Sequence, residues 1–201
     1  MRAFVILIGF MFMLSSFLSD TPKKNLIESV SSEKSPSDTF PQPNTKNMLF
    51  FVQRNHNINT IVYDLNYMAD SSTVNEEIPI HPYWIRYADH GEKLELNYIQ
   101  RNFAYGVHAK MVDKTNKSYR VHLSAYDKRE IFLRKSVVDH KYHAYLYING
   151  KISILHCIYI HIQGGSFWFP HVAYIDLKGK DVITGVPVFE RFVPEQKQAP
   201  R

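Results

Sequence analysis

Three arginines stand inside apolar or aromatic runs, a setting in which a permanent cation needs a partner. They are Arg54, Arg86 and Arg101. A guanidinium is costly to bury unless it is paired, so each one must meet either a carboxylate of the chain or a bound anion. Internal carboxylates such as Glu95 and Asp64 would give a structural ion-pair network. Both interpretations stay open at the level of sequence.

Convergence of the three guanidinium groups would create a site for a carboxylate or phosphate head with an apolar body. Nearby amide and aromatic side chains would complete that site by hydrogen bonding and stacking. The candidate ligand-binding residues are Arg54, Arg86, Arg101, Gln53, Gln100, Trp84, Tyr87, Tyr98, Phe103 and Trp168. We therefore expect a binding domain for a small anionic or amphipathic ligand, and we assign no catalytic residue, metal or cofactor.

Two other functions remain as alternatives. One is a hydrolase that uses a His–Asp pair, for which His122 with Asp127 and His171 with Asp176 are the candidates. The sequence contains no Gly-x-Ser-x-Gly elbow, P-loop or HExxH motif to support an enzyme. The other is a structural or interaction module of a bacterial envelope assembly, which predicts a contiguous exposed apolar patch.

Histidine spacing does not favour a metal site. The close pairs are His140 with His143 and His156 with His161. Separations of three and five place the two side chains on opposite faces of a strand. The single cysteine, Cys157, follows His156 in an apolar run that predicts a buried strand. We expect an inert thiol, with the neighbouring imidazole on the other face of a regular strand.

Charge argues against a nucleic-acid partner. The chain has 24 Lys and Arg against 19 Asp and Glu, a formal net charge of +5, and the two signs are interspersed along the sequence. Each phosphate contact requires its own cation, so a small and dispersed surplus does not describe a nucleic-acid surface.

The N-terminal segment predicts export. Residues 1–19 combine a basic start, a twelve-residue apolar run and small residues after it, as in a secretory signal peptide. An uncleaved anchor is the alternative, and it would be the protein's only membrane contact. From this export signal we expect the protein to be periplasmic or secreted. Residues 20–46 lack apolar periodicity and predict a flexible linker, and residues 194–201 predict a disordered tail.

The core, residues 47–193, predicts a single β-rich domain. Short β-branched and aromatic runs alternate with turns, and Asn149-Gly150 is a strong hairpin signal. We expect about 8–10 strands in an antiparallel barrel-like or sandwich fold. One helix is predicted over residues 92–105, where Leu96, Ile99 and Phe103 have helical spacing and Gly106 follows. A strand is the alternative for this segment.

Several long phrases resemble a known family. They are Leu49–Asn55, Tyr83–Tyr87, Asn97–Gly106, Gly164–Pro170 and Thr184-Gly185. Together they are similar to the domain-of-unknown-function family 4833, whose members are mostly bacterial exported proteins. The resemblance spans about residues 47–193 and implies one compact domain without an assigned activity. His56 departs from the family pattern, which has a proline after the asparagine, and is therefore a poor catalytic candidate.

Overall fold

The computed structural model of the protein describes residues 35–70, 72–166 and 170–195. The predicted leader, the first part of the predicted linker and the candidate residue Trp168 lie outside the described residues. Within the described ranges, no helix has the length and apolar character needed to cross a membrane.

The protein is mainly β, as predicted, and its single sheet curls into a half-barrel. The strands are β1 (Met48–Arg54), β2 (Asn57–Leu65), β3 (Ile80–Arg86), β4 (Glu92–Glu95), β5 (Val107–Asp113), β6 (Ser118–Leu123), β7 (Tyr126–Lys135), β8 (Tyr142–Ile148), β9 (Lys151–Gly165), β10 (Pro170–Asp181) and β11 (Pro187–Phe192). The β8–β9 turn confirms the hairpin signal, because Asn149 and Gly150 both have positive φ.

Strand β9 is the centre of the sheet. The main path runs β4-β3-β2-β1-β9-β8-β7-β6-β5, and β10 pairs with the other edge of β9 and with β11. One edge of β9 is shared, since Lys151–Ile154 pair with β8 and Cys157–Ile160 pair with β1. The β1–β9 pairing is parallel, so the sheet is mixed and the expectation of a wholly antiparallel fold is wrong at this one pair.

The sheet carries apolar side chains on both faces. The larger cluster fills the half-barrel and includes Phe50, Ile61, Leu133 and Leu155. A smaller cluster on the opposite face consists of Phe51, Val62, Tyr83, Ile85 and Cys157. Both faces of the central strand β9 are therefore covered, as its sequence predicts.

The helix predicted over residues 92–105 is wrong in its first half. Residues Glu92–Glu95 form strand β4, which pairs with β3, and only a helical turn, Gln100–Ala104, follows. Asn97 starts that turn, because its Oδ1 accepts from the Gln100 N–H. Of the apolar stripe that suggested the helix, only Leu96 is buried, at 3% exposure. Pairing with β3 therefore outweighs local helical spacing over Glu92–Glu95.

Part of the predicted linker is packed against the sheet. The segment Ser35–Gln42, which we name the strap, contains the short 3-10 helix Pro36–Thr39. Ser35 and Ser37 are buried, and the Phe40 ring lies edge-on to Tyr159 with centroids 6.0 Å apart. The linker prediction is thus not met in this stretch, since polar serines find hydrogen-bond partners in the sheet.

Candidate functional site

Arg54 ends β1 and lies between two aromatic rings. Its Cζ is 5.1 Å from the Trp84 ring centroid and 5.2 Å from that of Tyr105. One terminal nitrogen donates a hydrogen bond to the Tyr105 hydroxyl. The half-buried guanidinium forms no ion pair with a carboxylate of the described residues, and its buried Nε has no hydrogen-bond partner among them. The described residues therefore provide this cation with some hydrogen-bonding and ring contacts but with no negatively charged partner.

Neighbouring side chains fix the two rings. Trp84 is 7% exposed, and its Nε1 donates to Gln100 Oε1 at 3.3 Å. The carbonyl of Tyr105 accepts from the Tyr63 hydroxyl at 2.9 Å. Burial raises the pKa of Tyr105, and the nearby Arg54 opposes that rise. We name Arg54, Trp84, Gln100, Tyr105 and Tyr63 the Arg54 cluster.

The Arg54 cluster lies at the seam of the half-barrel. Trp84 belongs to β3, near one end of the strand path, and Tyr105 comes just before β5 at the other end. Their rings meet edge-on with centroids 5.3 Å apart. Gly106 lets the chain after Tyr105 pack closely against the preceding turn, because an added Cβ would lie 1.6 Å from the Arg101 carbonyl oxygen. The connection between β4 and β5 thus positions half of the site.

The other two candidate arginines have separate carboxylate partners. Arg86 pairs with Asp89, three residues later, at 2.7 Å. Arg101 pairs with Glu95 at 3.4 Å and donates to the Leu96 carbonyl at 3.3 Å. Both ion pairs are solvent-exposed. Arg86 and Arg101 thus form structural ion pairs, which is one of the two arrangements predicted from the sequence. Among the three arginines, only Arg54 lacks a carboxylate partner in the described residues.

The remaining candidate residues divide among different places. Gln53 is fully buried on the opposite face, where its Nε2 donates to the Pro41 carbonyl of the strap and to Thr60 Oγ1. Tyr87 packs against the smaller cluster on that face. Tyr98 and Phe103 are 76% and 64% exposed. The structure therefore gathers Arg54, Trp84 and Gln100 but not the whole predicted set.

Sequence reasoning missed Tyr105. It lies inside the phrase Asn97–Gly106, immediately before the glycine that the helix prediction treated as a C-terminal cap. A tyrosine next to a glycine that admits close backbone approach was the available signal. That signal does not identify the partner of Tyr105, because its contact with Arg54 depends on the tertiary structure.

A cleft of about 240 Å³ lies between the strap and strands β9 and β10. Ser37, Asp38, Gln42, His156, Cys157 and Lys178 line it. The register of β9 against β10 skips His156, which is a β-bulge. The strand is therefore not regular here, and His156 and Cys157 reach the same cleft. Cys157 is buried, as predicted, and burial raises the pKa of its thiol to about 12, which disfavours the reactive thiolate.

The two candidate His–Asp pairs do not form imidazole–carboxylate contacts. His122 Nδ1 lies 3.1 Å from the backbone oxygen of Asp127. The Asp176 carboxylate instead accepts from Arg191 Nε at 2.7 Å and from Ser35 Oγ at 2.9 Å. Among the described residues, no group of three His, Cys, Asp or Glu side chains is arranged to hold a metal ion.

Comparison with known proteins gives one match. The family model described as Domain of unknown function (DUF4833) covers residues 50–191. No curated protein and no solved structure matches the chain.

Proposed function

Because this chain belongs to the family described as Domain of unknown function (DUF4833), we propose its function from its own geometry: it is a non-enzymatic binding domain for a small anionic or amphipathic ligand. The site is the Arg54 cluster at the seam of the half-barrel. The ligand's anionic group contacts the Arg54 guanidinium, and Trp84 and Tyr105 hold that guanidinium in place.

The observation that carries this proposal is the incomplete neutralisation of Arg54. Two ring faces and one phenol oxygen surround its guanidinium, and each cation–π contact contributes about 0.5–2 kcal/mol. A guanidinium has five N–H donors and suits two-oxygen acceptors such as carboxylate or phosphate. An anion at the seam supplies the charge and the acceptors that the described residues do not.

We also propose that the domain acts after export, in the periplasm or outside the cell. The support is the sequence of residues 1–19, with its basic start and apolar run. A nucleic-acid partner is not proposed, because the net charge of +5 is small and dispersed.

The test is a calorimetric titration of the purified protein with four six-carbon compounds. Hexanoate and hexyl phosphate should bind, whereas 1-hexanol and hexylammonium should not. Arg54→Gln should weaken the binding of both anions by at least tenfold, since it removes the charge-assisted contact. The matched control is Arg134→Gln, because the Arg134 guanidinium also lies over a tyrosine ring, at 4.5 Å from the centroid of Tyr145.

Two results would contradict the proposal. One is equal binding of hexanol and hexanoate, which would remove the role of charge. The other is unchanged anion binding by Arg54→Gln. Circular dichroism and thermal unfolding of each variant confirm that the fold is kept. Arg54→Gln removes two cation–π contacts, so Tm should fall by several degrees while the circular dichroism spectrum stays that of the folded protein.

A further inference from the structure

Four apolar side chains on the connection leading to Tyr105 face solvent. They are Leu94, Tyr98, Ile99 and Phe103, exposed by 46%, 76%, 40% and 64%. Single exposed apolar side chains are ordinary on a protein surface. Here four occur within ten residues, on the same segment that supplies Gln100 and Tyr105 to the Arg54 cluster. We name them the turn patch.

Two members of the turn patch, Ile99 and Phe103, belong to the apolar stripe that suggested a helix, and they do not enter the core. Leu96 alone turns inward, to 3% exposure, because residues before it are held as strand β4. Ile99 and Phe103 then project from the short turn Gln100–Ala104, where no strand of the described sheet covers them. The segment that contributes Gln100 and Tyr105 to the Arg54 cluster thus also presents exposed apolar side chains.

Residues of the turn patch are close in sequence to residues that contact Arg54 or its ring partners. Gln100, flanked by Ile99, accepts from Trp84 Nε1 at 3.3 Å, and the Trp84 ring lies against Arg54. Phe103 is two residues before Tyr105, whose hydroxyl accepts from Arg54. Because these links run through residues no more than two positions apart, we expect an aliphatic chain that starts at the guanidinium to reach the turn patch.

We propose that the ligand of the Arg54 cluster is a single-chain amphiphile, with a carboxylate or phosphate head at Arg54 and an aliphatic tail over the turn patch. This inference rests on the proposed function and names its ligand class. The shared chemistry of the head is one anionic group with at least two oxygens.

A free amphiphile fits this surface better than an anionic bilayer does. Attraction to a bilayer requires a cluster of basic side chains. The charges around the turn patch are instead mixed, since Glu92 and Glu95 stand beside Lys93 and Arg101. The Arg54 guanidinium, which has no carboxylate partner among the described residues, is half-buried, which suits one head group at a time.

The experiment is a chain-length series at constant head, using hexanoate, octanoate and decanoate below their micelle concentrations. Each added methylene that reaches the turn patch should tighten binding about two- to fourfold. In the Tyr98→Ser/Phe103→Ser variant this dependence should largely vanish, while hexanoate still binds. The matched control is Val137→Ser/Val138→Ser, because these valines are 89% and 88% exposed elsewhere on the surface.

The outcomes separate this inference from the proposed function. If hexanoate and decanoate bind the wild-type protein equally, the tail contact is wrong and anion binding at Arg54 stands. If no member of the series binds, both fail. A further arm uses vesicles of phosphatidylcholine with one-fifth phosphatidylserine. Vesicle binding that depends on Tyr98 and Phe103, without binding of the free acids, would overturn the inference in favour of a bilayer.

Discussion

Two charged side chains, Asp176 and Arg54, differ in whether the protein supplies an oppositely charged partner. Asp176 is 0% exposed, and both of its oxygens accept hydrogen bonds, from Arg191 and from Ser35. Arg54 has aromatic walls but no carboxylate among the described residues. The first charge has its counterion within the protein, and the second is the one to which we assign the proposed ligand.

Replacement of Asp176 should therefore test structure alone. Asp176→Asn keeps the shape but removes the charge that Arg191 meets, and breaking such a buried pair should lower the free energy of unfolding by about 3 kcal/mol. Urea unfolding followed by fluorescence measures this change. Glu195→Gln is the control, because Glu195 pairs with Lys128 at the surface, and its stability should equal that of the wild type. Equal stability of Asp176→Asn would refute the structural role.

The sequence indicated several residues of the candidate site but not which of them lie together. It selected Arg54, Trp84 and Gln100, which the structure brings together. It also grouped Gln53 with them, although Gln53 follows the alternation of β1 onto the opposite face. Strand alternation was available from the sequence, but which strand face lines the seam depends on the curl of the whole sheet.

Elements whose identity is set by local pattern were predictable, and those set by distant partners were not. The β8–β9 hairpin follows from Asn149-Gly150, whose positive φ angles fix the turn. Strand β4 has no local signature, because all four of its residues are exposed and only pairing with β3 makes them a strand. The strap likewise has a linker-like composition, and its order comes from partners far along the chain.

The strap offers an element-scale prediction with an internal reporter. Lys178 Nζ donates to Ser37 Oγ at 2.7 Å and pairs with Asp38, and Cys157 lies beneath in the same cleft. Lys178→Ala should loosen the strap and accelerate labelling of the Cys157 thiol by a disulfide reagent about tenfold, as expected for the loss of charge-assisted hydrogen bonds.

The direction of this change is informative. Lys178 lowers the pKa of Cys157, so its removal alone would make the thiolate rarer and labelling slower. Faster labelling must therefore arise from access. The control is Lys151→Ala, since Lys151 lies 4.0 Å from Asp181 at a solvent-exposed position. Unchanged or slower labelling of Lys178→Ala would show that Lys178 does not hold the strap closed.

At the scale of the whole molecule, phenol groups are buried on both faces of the curled sheet, and burial opposes their ionisation. The chain has 13 tyrosines. Burial raises the pKa of several of them above the ordinary value of 10.0, to about 12 for Tyr83 and Tyr159. The same direction holds for Tyr63, Tyr105, Tyr119 and Tyr142. These groups lie on many strands, so their titration reports on the sheet as one unit.

This shared direction predicts loss of stability in alkali. A group whose pKa is raised by folding stays protonated in the native state while the unfolded chain ionises, so its contribution is full below pH 10 and declines as pH rises toward the native pKa. Each fully buried phenol, such as Tyr63 at 1% exposure, lowers the free energy of unfolding by at most about 1.4 kcal/mol per pH unit. Urea unfolding between pH 7 and 11, with tyrosinate absorbance at 295 nm, should show constant stability up to about pH 9 and a steep decline above pH 10. Normal ionisation of all tyrosines near pH 10 in a protein of unchanged stability would contradict the burial of these phenols.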